Sequence, residues 1–273
     1  MSMQLDDYRI AIRERNYPDL LDLALRVSRA HAGPLFRAFL VGVVPCALFN
    51  AWLLSGYVEP DIDLQVPLWY VVFMLMLVAW QIPLATAPMT LYLGSSLFDQ
   101  KPGRKELRGR FFAALPQMFI FQVVLRGMLT PPVITLFVFF WGWPYLSEVI
   151  LLERNPLFKG KLKRITTMRR VSSLHKGSTG DLFARWMGAM LVGLMFIISL
   201  WFMLYLLGAV LANQLAVEGI FYSVYFPVAL WATIGYLTVV RFLSYLDLRI
   251  RREGWEVELL MRAESARLMK EAK

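Results

Sequence analysis

Long stretches without Asp, Glu, Lys or Arg alternate with shorter charged segments along this chain. A helix that crosses a ~30 Å hydrocarbon core needs roughly 20 mostly apolar residues. Residues 38–56 meet that requirement. Residues 64–98 form a second uncharged stretch, too long for one straight pass at ~1.5 Å per residue. Pro83 and Pro88 lie inside it, and proline kinks or breaks a helix, so the stretch predicts one kinked pass over 66–97 with an interfacial extension. Residues 111–147 carry a single charge, Arg126, and Thr130-Pro131-Pro132 interrupts them. They predict two short passes, 111–128 and 131–150, joined by a tight turn; a re-entrant pair is the alternative and keeps the same parity. Residues 186–212 and 219–242 complete the set. The expected fold class is therefore all-α: a polytopic membrane protein with six transmembrane helices.

Composition agrees with this reading. The chain of 273 residues is 58% hydrophobic and 18% charged, against roughly 45–50% and about 25% in soluble domains. Its formal net charge is +9 and its pI about 9.8. In a soluble protein that balance would suggest nucleic acid, but here the position of each cation decides. Lys and Arg collect in cytoplasmic loops beside membrane passes. The N-terminal segment holds Arg9, Arg13, Arg15, Arg26, Arg29 and Arg37, whereas the loop after the first pass has only Glu59, Asp61 and Asp63. Cations return in residues 101–110, in 154–185 and after 240, while Glu218 is the sole charge between the last two passes. Every Lys and Arg except Arg126 thus falls on one side. The expected topology places both termini in the cytoplasm of a prokaryotic inner membrane. The expected partners are anionic lipids of the inner leaflet and other subunits of a membrane complex, not nucleic acid. No cleaved signal peptide is expected, because the first 37 residues are too charged and lack a short apolar core.

Three parts follow: a cytoplasmic segment 1–34, a membrane domain 35–246 and a charged tail 247–273. In the first, residues 17–31 predict an amphipathic helix. Pro18 suits a first helical position. Leu20, Leu23, Ala24 and Val27 recur at helical spacing opposite Asp22, Arg26 and Arg29. Gly33-Pro34 is expected to end it. Such a helix lies on the inner leaflet or packs on the protein's own cytoplasmic parts. In the fourth loop, Lys159, Lys161, Lys163 and Arg164 are candidates to hold anionic headgroups, at about 1 kcal/mol per cation near the surface. Topology enforcement alone also accounts for them. Thr179 or Ser178 before Asp181 is expected to open the next helix. The tail is expected to continue the last pass as a helix, with Asp247 and Arg251, and Arg249 and Glu253, at pairing distance i,i+4. Gly254 marks a bend, and Trp255 suits an interfacial anchor.

The tail run Tyr245-Leu-Asp247-Leu-Arg249-Ile-Arg251-Arg-Glu253-Gly254-Trp255-Glu-Val-Glu258-Leu resembles the close of a broad group of prokaryotic polytopic membrane proteins. These are similar to the membrane domain that precedes some glycerophosphodiester phosphodiesterases. The run from Asp19 to Leu35 resembles that group's amphipathic opening, and Pro88 to Phe98 its second-helix exit. The resemblance spans most of the chain. It implies a six-helix bundle in the inner membrane and marks Asp247, Arg249, Arg251, Glu253, Gly254 and Trp255 as a structural or partner signature. Many such proteins stand alone, and no phosphodiesterase chemistry is carried over.

Candidate chemistry is sparse. His31 and His175 are the only histidines and Cys46 the only cysteine, so no zinc pattern is readable. No GxSxG elbow occurs. Glu148, Glu153 and Asp181 fall at the ends of passes, and intramembrane carboxylates, which mark ion pathways, are not expected. Asn50, Gln81, Gln117 and Gln122 are expected to pack between helices. Arg126, the lone outer cation, is a candidate contact for a lipid phosphate or anion, or snorkels to the interface. Pro45, Pro83, Pro88 and Pro116 interrupt helices, as in transporters or in merely bent bundles. The expected function is a non-enzymatic scaffold or accessory subunit, without metal or cofactor. The alternative is a transporter or channel for a lipid-like or small neutral solute.

Overall fold

A computed structural model describes residues 16–57, 68–96, 103–125, 143–153, 155–157, 165–176, 179–212 and 220–253. The described residues are all-helical. Helix α1, Tyr17–Ala30, starts with Pro18 in its first turn and carries Asp19 there and Arg29 in its last turn, each matched to the helix dipole. It ends at His31, whose N–H donates to the Val27 carbonyl. The break thus comes before Gly33-Pro34. Pro34 falls instead in the first turn of α2, Ala32–Leu53, where a missing N–H leaves no bond unmade.

Helix α3, Leu68–Ser96, is a single helix that contains both Pro83 and Pro88, as the uncharged stretch predicts. Helix α4, Arg104–Met118, runs on as a π-helix, Phe119–Leu125. It begins within the charged loop, earlier than the apolar boundary at 111. A short helix α5, Leu146–Glu148, passes into a π-turn, Val149–Glu153. Helix α6, Thr167–His175, follows, then α7, Thr179–Ala212. A π-turn, Phe221–Tyr225, leads into α8, Phe226–Glu253, which continues without a break past position 246.

Among the described residues, four helical segments are long and apolar enough to span a membrane: Ala32–Leu53, Leu68–Ser96, Thr179–Leu211 and Phe221–Arg252. They differ in their surroundings. Of the most apolar window of each, 56% is buried in α8 but only 6% in α7. Helix α8 is therefore the spine, with α1, α2, α3 and α7 all packed on it. Helix α7 turns an outer face of Leu191, Met195, Phe202 and Val210 away from the protein. Such a run of exposed apolar side chains is unusual on a soluble monomer and suits a lipid environment.

The span-length helices alternate in direction. Tyr92, near the end of α3, shares a 3.1 Å hydrogen bond with His31 at the start of α2. Asp247, late in α8, meets Arg185, early in α7. At the opposite end Tyr57 packs on Phe73 and Trp201 on Phe221. The amphipathic stripe of α1 buries Leu20 and Ala24 against α8 rather than leaving them for lipid. The Tyr236 hydroxyl donates to the Leu21 carbonyl at 3.0 Å. The Asp22–Arg26 pair faces outward at 2.7 Å.

Candidate functional site

Charge collects at one end of the bundle, around the second half of α8. Arg241, Tyr245 and Arg249 recur every four residues and so share one face of that helix. Asp247 and Arg251 share another. The two faces hold different neighbours.

On the first face, Arg241 Nε lies 2.6 Å from Glu148 Oε1, and Arg241 Nη2 donates to Thr86 Oγ1 on α3 at 3.4 Å. Glu148 is fully buried. Glu153 lies five residues on, too far around for one face of an α-helix. The intervening π-turn, with its wider i→i+5 spacing, lets both carboxylates meet α8. Tyr245 donates to Glu153 Oε1 at 2.8 Å. Arg170, from α6, grips the same carboxylate through Nε at 2.5 Å and Nη2 at 3.1 Å, a bidentate fork. Arg249 stands 3.9 Å away. Burial alone would raise the Glu153 carboxyl, but hydrogen bonds from Arg170 and Tyr245, with the charges of Arg170 and Arg249, hold it below the usual carboxylate range. Gln117 of α4 ties in from behind: its amide donates to the Thr167 hydroxyl and to the Asn155 carbonyl at 3.2 Å.

On the second face, Arg185 of α7 donates to Asp247 at 2.7 Å and lies 3.1 Å from Asp181. Arg251 reaches both Asp181 and Asp247 at 2.9 Å. The result is a quartet of two arginines and two aspartates, in which Asp247 is 3% and Arg185 7% exposed. Tyr17 of α1 packs over Gly188 close by, where a Cβ would lie 2.8 Å from the ring. Burial pushes its phenol up to about 12.

A separate polar pair joins α2 to α3 in the apolar layer. Asn50 and Gln81 exchange two amide hydrogen bonds of 2.9 and 2.7 Å. Gln122 donates to Ser147 at 3.1 Å. All four expected polar residues therefore bridge elements.

Arg126, Lys159, Lys161, Lys163, Arg164, Gly254 and Trp255 lie outside the described residues, as does the side chain of Glu253. The rest of the tail signature falls into the ion-pair centre: Asp247 and Arg251 into the quartet, Arg249 beside Glu153. The expected i,i+4 pair Asp247–Arg251 forms. Sequence reasoning did not anticipate that the tail pairs across helices, Asp247 with Arg185, Arg251 with Asp181 and Arg249 beside Glu153. The signal was there in part. Arg241, Tyr245 and Arg249 are three polar positions at i, i+4 and i+8 on a helix whose other positions are largely apolar.

Chemically, this centre binds helices to one another. Each carboxylate in it already accepts from at least one guanidinium. Buried charges are tolerated only when so paired. Among the described residues, no group of three or more His, Cys, Asp or Glu is placed to hold a metal ion. The fold and this centre define an all-helical protein whose helices, four of them long and apolar enough to span a membrane, are locked together at one end by buried ion pairs. The chain matches no family model, no curated protein and no solved structure.

Proposed function

We propose that this protein is a six-pass inner-membrane protein that serves as a scaffold or accessory subunit of a membrane complex, without enzymatic activity. The observation that carries this reading is the use of its polar groups. Charged side chains at the bundle end are consumed in inter-helix pairs, and amides in the apolar layer bridge helices. Meanwhile α7 offers a nearly continuous apolar face outward. Such a molecule is built to hold a shape in lipid. The remaining two passes of the six come from residues 111–150. The ion-pair centre then lies at the cytoplasmic surface, where positive-inside bias puts both termini. The resemblance of both chain ends to stand-alone relatives of the phosphodiesterase membrane domain agrees with this assignment.

Crosslinking in intact membranes, followed by purification in mild detergent, tests the proposal. A defined protein should co-purify in fixed ratio and crosslink through residues on the outer face of α7, such as Leu194→Cys. Recovery of monomer alone, with no crosslinked product, would sink it. The transporter alternative gains ground if the purified chain carries solute flux in vesicles that Asn50→Leu or Gln81→Leu abolishes.

A further inference from the structure

A recess of about 250 Å³ opens beside the C-terminal turn of α6, lined by Trp143, Ser172, His175 and Lys176. Ser172, His175 and Lys176 stand at i, i+3 and i+4, so they share one side of the helix. Ser172 and Lys176 are exposed, His175 is buried and Trp143 half-buried. Tyr145 packs against the imidazole with ring centroids 5.8 Å apart, which holds His175 in place as the floor. A helix C-terminus ordinarily repels anions, because its last carbonyls carry the negative end of the dipole. Here Arg252 of α8 donates to the Lys176 carbonyl. It covers that end and brings a second cation to the rim. Among the described residues, no carboxylate lines the recess and none forms an ion pair with Lys176.

The structure assigns this recess as a binding site for a phosphate-bearing group. Lys176 supplies the charge and Ser172 a hydroxyl donor. Trp143 forms the apolar wall that a glycerol or acyl stem would meet. Tryptophan is favoured where apolar and aqueous layers join, and Trp143 lies five residues before Glu148, the first charge after the uncharged stretch 127–147. A headgroup phosphate or a free phosphate shares this chemistry. The inference rests only on the chain lying in a membrane and stands apart from the scaffold role.

The test uses the full chain in detergent and thermophoresis with dioctanoyl phosphatidic acid, dioctanoyl phosphatidylcholine and inorganic phosphate. Phosphatidic acid is expected to bind. Lys176→Gln and Ser172→Ala should each weaken it about tenfold, the effect of losing roughly one charge-assisted hydrogen bond. Lys176→Arg should restore most of the affinity, and Lys105→Gln, an exposed cation on α4, should leave it unchanged. Both site positions are exposed, so the thermal midpoint should hold. If inorganic phosphate displaces the lipid at comparable concentration, the site reads phosphate itself; if it does not, the site reads the lipid headgroup. Either outcome supports the site. Undetectable binding of both phosphatidic acid and inorganic phosphate, or equal affinity in Lys176→Gln and the parent, overturns it.

Discussion

At the residue scale, Gly42 shows how closely α2 and α3 approach. A Cβ built there would lie 1.9 Å from the Ala85 carbonyl oxygen. Small residues let membrane helices meet backbone to backbone, where dispersion replaces the hydrophobic drive that lipid removes. Ala85 sits between Pro83 and Pro88, each of which removes a backbone hydrogen bond from the helix. Gly42→Ala should separate the helices and cost about 1–3 kcal/mol, the usual penalty of overpacking. Thermal unfolding in detergent measures it. Gly33→Ala, with nothing within 4 Å of its added carbon, is the matched control and should change little. Equal midpoints for the two variants would mean that the helices adjust freely at Gly42. The sequence sets Gly33 before Pro34 and Gly42 inside the first apolar stretch, but it does not show which neighbour faces each glycine. Asn50 and Gln81 were legible as packing residues, since amides in an apolar run need partners. Their mutual pairing was not, because it depends on how the two helices are set against each other.

At the element scale, the second half of α8 explains why a string of alternating charges occurs in its sequence. Residues two apart on a helix face opposite ways, so the pattern reads as two interfaces rather than one polar face. Sequence reasoning paired these charges within the helix, and for Asp247 and Arg251 that pair exists. The cross-helix partners stayed hidden because Glu148 and Arg185 lie far away along the chain. Glu148 and Glu153 meet α8 together only through a π-turn, which apolar periodicity does not announce. The quartet gives a sharp expectation. Arg185→Met or Asp247→Leu alone leaves the quartet with one charge in excess, although Arg251 still meets Asp247 and Asp181 still meets Arg185, and should destabilise the protein by about 1–3 kcal/mol. The double substitution leaves Asp181 and Arg251 still paired at 2.9 Å, so it should cost much less than the two single losses added. Denaturation of the four proteins in detergent measures the cycle. Additive losses would show that Arg185 and Asp247 do not act as a pair.

At the scale of the whole molecule, apolar stretches make most of the architecture legible. The four span-length helices fall where uncharged runs of the sequence predict them, because a bilayer imposes length and polarity directly. The described structure adds that their charged ends gather at one end of the bundle, where Arg110 of α4 also reaches Ser95 of α3 at 3.3 Å. That arrangement is what an even number of passes with all loop cations on one side requires. Helix α1 was legible as amphipathic, but its apolar stripe is spent on α8, a choice that only the neighbouring helix surface decides. The ion-pair centre was legible in part, as the i,i+4 pair Asp247–Arg251 and the polar positions 241, 245 and 249, but not as contacts between helices.

Topology then yields an expectation that does not depend on any side-chain contact. In a chain with Cys46 replaced by alanine, single cysteines at Asp61→Cys and Glu218→Cys should react with an impermeant maleimide added to intact cells. Lys161→Cys should react only after the inner membrane is opened. The reasoning is parity: positions 61 and 218 follow odd-numbered passes from a cytoplasmic start, and position 161 follows an even one. Thr130→Cys separates the two readings of residues 111–147. It labels from outside if these residues cross the membrane twice, and stays protected if they dip in as a re-entrant pair. Both readings leave 61, 161 and 218 where they are. Labelling of position 161 in intact cells would therefore overturn the topology itself, and would move the Arg241–Glu148 and Arg185–Asp247 pairs to the outer surface, where positive-inside bias gives no reason for so many arginines.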